Sequence, residues 1–129
     1  MYRDLIPDTI RRFILTSINS VPYLEAMLLL RSAPDQWWDG KKVAQRLYMP
    51  EKAAEALLDE LHAAGILAVA DDGSRSYRYS PTTDELRQII DELADTYARH
   101  LVEVTHLIHS KTSKKAQQFA DAFKLRKDS

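Results

Sequence analysis

The sequence predicts a mainly α-helical chain carrying one small β-hairpin, on three observations. Apolar residues recur at three- and four-residue spacing along most of the 129 residues, as helices with one buried face require. The stretch Ile66 to Tyr79 departs from that rhythm, with an apolar run, the turn set Asp71-Asp72-Gly73-Ser74, and an alternating Tyr77 to Tyr79. Two short strands around a turn have this appearance. After Pro81, neither glycine nor proline occurs again, so the last third of the chain reads as long helix.

Length and composition narrow the functional classes. A chain of this size forms one domain, with room for an appended helix, and buries a real core. It has no cysteine, which excludes disulfides, thiolate zinc sites and cysteine nucleophiles and fits a reducing, cytoplasmic setting. No uninterrupted apolar run exceeds that of Ala26 to Leu30, far short of the ~20 residues of a membrane span. The first residues, MYRDLIPD, carry acids where a signal peptide would be basic and then apolar. No membrane partner is expected. The net charge of −1 hides an asymmetry: from Lys111 onward Lys111, Lys114, Lys115, Lys124, Arg126 and Lys127 face two acids, a net +4, which leaves −5 for residues 1–110. Such a tail attracts polyanions or is simply solvated.

In order along the chain, residues 1–19 form an N-terminal helix, with Ile6, Ile10, Phe13, Ile14 and Ile18 on one face and Pro7 in the first turn. Ser20 is a candidate N-cap for the next helix, and Pro22 sits in its first turn. There Leu24, Ala26, Met27, Leu28, Leu29 and Leu30 surround the axis, which marks a central core helix. Ser32 to Asp35 is a loop, and Gln36-Trp37-Trp38 is a minor strand in which neighbours alternate, one tryptophan in the core and one half-exposed. Asp39 caps a third helix with a narrow face of Val43, Ala44 and Leu47, leaving Lys41, Lys42 and Arg46 outside. Tyr48 and Met49 separate it from a fourth, opened by Pro50 and Glu51. That helix buries Ala54, Leu57, Leu58 and Leu61 and stops at Gly65, the left-handed residue. Leu28, Leu57, Leu61 and one of the tryptophans should meet beneath the hairpin.

Core helix, short strand, helix, tight turn, helix and hairpin is the order of a winged helix-turn-helix, here over residues 20–81. The residues also resemble that superfamily in bacterial transcription regulators, through Val43-Ala44 with Leu47, Ala54 with Leu57, Leu61, Gly65-Ile66-Leu67 and Tyr77-Arg78-Tyr79. In layout the chain is similar to the PadR-like and MarR-like groups, which carry a dimerising C-terminal helix. The resemblance implies transcription regulation and a homodimer, whereas the fold alone fixes neither.

Residues 82–110 predict that long helix, opened by a capping box of Thr82 and Glu85. Leu86, Ile90, Leu93, Tyr97, His100, Leu101, Val104 and Ile108 keep close to heptad spacing, and this seam is the expected dimer interface. A break at Ser110 to Ser113 then leads into a basic tail, residues 111–129, in which Ala116, Phe119, Ala120 and Phe123 suggest a short amphipathic helix.

No arrangement of residues points to catalysis or to a cofactor. His100, Glu103, His106 and His109 step by about −60° each around a helix and spread over half its circumference, so they cannot share one metal ion. With glycines only at 40, 65 and 73, no phosphate loop is formed. The nucleic-acid reading is divided. The fourth helix, which would enter the major groove, has Lys52 against Glu51, Glu55, Asp59 and Glu60, a charge of −3. Lys52 itself, with Lys41, Lys42, Arg46, Arg75, Arg78 and the tail, is a candidate DNA contact, mainly to phosphates. The expectation is a non-enzymatic DNA-binding regulator whose contacts are mainly to the backbone, the alternative being a protein-interaction module that has kept the fold.

Overall fold

A computed structural model describes residues 5–128 of the chain. The elements run α1 (Asp8–Ser17), α2 (Val21–Ser32), α3 (Gly40–Leu47), α4 (Glu51–Ala63), β1 (Leu67–Val69), β2 (Tyr77–Tyr79), α5 (Asp84–Arg99) and α6 (Leu101–Asp128). The chain divides into two compact units, residues 22–94 and residues 1–21 with 95–129.

The first unit is a winged helix. Helix α3 packs on α4, and α4 on β1; the strands pair antiparallel in the register Leu67↔Tyr79, Ala68↔Arg78 and Val69↔Tyr77. Trp38 takes the third strand position as a single bridge, its N–H donating to Tyr77 O and Tyr77 N–H to Trp38 O, both at 2.7 Å. That bridge decides which tryptophan turns inward: Trp38 is 2 % exposed and Trp37 37 %. Leu24, Met27, Leu30, Val43, Leu58, Leu61 and Trp38 form the core, closed below the wing by Tyr77 and Tyr79. Leu61 lies in that core as expected; Leu28 and Leu57 are half-buried.

Local chemistry accounts for where these helices begin and end. Asp39 caps α3, accepting from Lys42 N at 2.9 Å. Pro50 is the residue before α4, one position earlier than its expected place inside the first turn. Helix α4 ends in a Schellman motif: Ile66 N–H donates to Leu61 O at 3.1 Å, Gly65 N–H to His62 O at 3.0 Å, and Gly65 has φ +80°. A Cβ at Gly65 would lie 2.9 Å from Thr82 Oγ1, so both the turn and the close approach need glycine. The cap of α5 is Thr83, whose Oγ1 accepts from Leu86 N at 3.1 Å, and not Thr82, whose backbone N–H is committed to Gly65 O at 2.9 Å. Between α3 and α4, Tyr48 adopts the left-handed conformation, φ 56° and ψ 52°, at a cost of about 1–2 kcal/mol for an L-residue.

In the second unit α1 packs against α6. The first buries Ile10 and Ile14 and the second Val104 and Ile108. Lys111 Nζ donates to Ile18 O at 3.1 Å and Ile14 O at 3.4 Å, satisfying carbonyls at the end of α1 that the helix cannot pair itself. Two expectations are corrected here. The long helix is interrupted at His100, between α5 and α6, although His100 N–H still donates to Thr96 O at 2.7 Å and Val104 N–H to His100 O at 3.0 Å. No glycine or proline marks that break. Conversely, α6 continues through Ser110 to Ser113, because serine and threonine cost only a few tenths of a kcal/mol in a helix interior. The side chains of Ala116, Phe119 and Phe123, the expected apolar face beyond it, lie outside the described ones.

Candidate nucleic-acid interface

The winged unit presents all six predicted cations, Lys41, Lys42, Arg46, Lys52, Arg75 and Arg78, on its surface. They differ in what engages them. Trp37 and Trp38 sit beneath two guanidiniums: Arg78 lies over the Trp37 ring at 4.7 Å and Arg46 over Trp38 at 5.7 Å. Stacking uses the flat face of a guanidinium and leaves its in-plane N–H donors outward. Lys42 Nζ reaches Trp37 O at 3.4 Å. Arg75 is the most compromised, with Nη2 3.7 Å from Asp59 Oδ2.

Asp59 is therefore not a bare acid on the face of α4. Its Oδ1 accepts from the Tyr77 hydroxyl at 2.7 Å, so the carboxylate ties the wing to the helix. The same bond, followed by burial, raises the Tyr77 phenol above its ordinary pKa of 10.0. Glu51, Glu55 and Asp59 recur every four residues and form one flank of α4. With Asp39, Lys41, Arg75 and Tyr77 they line a cavity of about 210 Å³ between the start of α3 and the wing tip. Glu55 packs so closely on the start of α3 that a Cβ on Gly40 would meet its Cγ at 2.5 Å.

The outward face of α4 carries Lys52, Ala53, Ala56, Asp59, Glu60 and Ala63, all exposed. Its formal charge is −1, where the sequence count for the whole helix is −3. Which side of a helix its acids occupy depends on where the core lies, and this was not visible in the summed charge. The wing tip is shaped by Asp72, whose Oδ1 accepts from Ser74 N at 2.9 Å; its bonds from Ser74 hold this carboxyl below the ordinary range.

The predicted dimer seam does not lie at a surface. Ile90, Leu93, Val104 and Ile108 are completely buried by the chain itself, and Tyr97 nearly so. His100 is half-buried, with Nδ1 3.9 Å from Glu103 Oε2. Of the eight seam residues Leu86 is half-buried and only Leu101, 54 % exposed, faces outward, next to Val102 at 71 %. A heptad stripe is the same pattern whether a partner or the chain's own helices cover it. In the basic tail, Lys111 is engaged at α1, Lys114 is exposed, and the side chains of Lys115, Lys124, Arg126 and Lys127 lie outside the described ones.

The sequence matches no model of a protein family and no curated protein. Among solved structures the chain is similar to a MarR family protein from Bacillus stearothermophilus, with a TM-score of 0.51 over 88 % of this chain and 83 % of that one. The fold is a winged helix. At 16 % identity the likeness extends to the fold and no further. No single described helix is long and apolar enough to cross a membrane.

Proposed function

We propose that the chain is a non-catalytic winged helix regulator of transcription that acts as a homodimer and holds DNA mainly by its phosphates. The observation that carries this reading is the distribution of charge on the winged unit. Lys41, Lys42 and Arg46 on α3, Lys52 at the start of α4 and Arg78 on the wing are exposed, while Asp59 is bonded to Tyr77 and Arg75. A groove-facing side of alanines on which Lys52 stands beside Asp59 and Glu60 offers few donors to base edges. Affinity would then come from backbone neutralisation. For the dimer, exposed Leu101 and Val102 in α6 and Leu5 and Leu15 near α1 supply apolar surface outside the core.

The test is the salt dependence of binding to a short duplex of random sequence. Each neutralised phosphate contributes a slope of about −0.9 in log K against log salt, so Lys41→Ala with Lys42→Ala should flatten it by about two units. A second reading, a module that docks a basic protein segment, is favoured by the four carboxylates Asp39, Glu51, Glu55 and Asp59 around one cavity. Absence of DNA binding at low salt would select it.

A further inference from the structure

Two residues other than glycine have positive φ among the described residues, Tyr48 and Arg75, both at 56°. Arg75 sits in the wing tip, where its side chain reaches Asp59. Tyr48 is different. It is the C-cap of α3, in the position that glycine or asparagine usually fills because a Cβ is disfavoured there. The residue is 95 % exposed, and its side chain has no hydrogen bond, ion pair or ring contact among the described residues. The backbone requires only the left-handed conformation, which lets Tyr48 N–H and Met49 N–H both donate to Ala44 O. A large aromatic at this point thus opposes the fold and gains nothing from it. A strained residue whose surroundings do not explain it points to a contact outside the chain.

We propose that Tyr48 is a contact residue for the sugar-phosphate backbone of duplex DNA, a role that rests on the DNA-binding reading above. In a helix-turn-helix the first helix crosses the backbone and the second lies in the major groove; the turn between them therefore stands at the groove's edge. Tyr48 occupies that turn, four residues before exposed Lys52 and two after exposed Arg46. Its hydroxyl is a neutral donor to a phosphate oxygen and its ring an apolar surface for a deoxyribose. Because a neutral donor displaces no counterion, its contribution is independent of salt, unlike that of the neighbouring cations.

Fluorescence anisotropy with a random duplex of about 20 base pairs across a salt series, together with urea unfolding of each protein, tests this. Tyr48→Phe, which removes only the hydroxyl, should weaken binding about threefold to tenfold, as loss of one neutral hydrogen bond does. The salt slope should stay unchanged. Tyr48→Gly should weaken binding at least as much while raising the unfolding midpoint, since it relieves the left-handed strain. If the native chain binds and both variants bind equally well, Tyr48 is not a contact and the DNA-binding reading stands. If Tyr48→Gly lowers the unfolding midpoint, the ring serves the fold and the proposal fails. If the native chain does not bind at low salt, the DNA-binding reading itself falls, and this proposal with it.

Discussion

Tyr77 joins three parts of the winged unit: its backbone pairs with Trp38, its ring is buried beneath the wing, and its hydroxyl donates to Asp59 on α4. Tyr77→Phe keeps the ring and the backbone pair and loses only the last bond. The expected cost at neutral pH is about 1 kcal/mol, below the usual ~1.5–3 kcal/mol for a bond to a charged acceptor because Asp59 is partly solvated. The phenols of Tyr77, Tyr79 and Tyr23 all lie above 10.0 in the folded chain. For Tyr77 the chief cause is the Asp59 bond, and for the other two it is burial. A raised folded value means that the associated stability is complete below the unfolded pKa of about 10 and is lost as pH rises from there through the folded value. Urea midpoints should therefore fall steeply above that pH, and less steeply for Tyr77→Phe. Identical alkaline losses in both proteins would remove Tyr77 as a source.

Helix α1 ends at Ser17 with Ile18 as its cap, and it has no basic residue in its last turn. The cation that the end of a helix favours comes instead from α6, where Lys111 donates to Ile14 O and Ile18 O. Lys111→Met keeps the aliphatic stem and removes the donor. We expect a loss of about 1 kcal/mol and faster amide exchange in the last turn of α1, with the winged unit's exchange unchanged. Exchange accelerated equally in both units would mean that the substitution acts through global stability alone. The same pairing changes the reckoning of the tail, since one of its six cations is already used within the chain.

At the level of the assembled protein, Ile90, Leu93, Val104 and Ile108 are buried in the single chain, so a dimer of chains folded this way draws on other surface. Among the described residues of α6, the large apolar side chains exposed for it are Leu101 and Val102. If the protein is a dimer as proposed, replacing both by glutamate should give a monomer in sedimentation with unchanged helical circular dichroism, because neither side chain holds the chain together. A double variant that still sediments as a dimer would move the interface elsewhere. One that loses its helical signal would show that these two residues belong to the fold.

What the sequence determined by itself was the kind and order of the elements, since those signals are local. Apolar residues three and four apart define the helices, Asp39 caps its helix three residues away, and Gly65 ends α4 within one turn. Alternation required one of Trp37 and Trp38 to turn inward. Tertiary structure alone decided which one, because the choice depends on the bridge to Tyr77. It also decided which charges remain available, since Asp59 meets Tyr77 across 18 residues, Arg31 meets Asp91 across 60 and Lys111 meets Ile18 across 93. The identity of such partners is set by how the chain closes on itself, and spacing along the sequence carries no record of it. For the same reason the burial of Ile90, Leu93, Val104 and Ile108 within the chain was not legible from their spacing: periodicity states that a face must be covered, and only packing states by what.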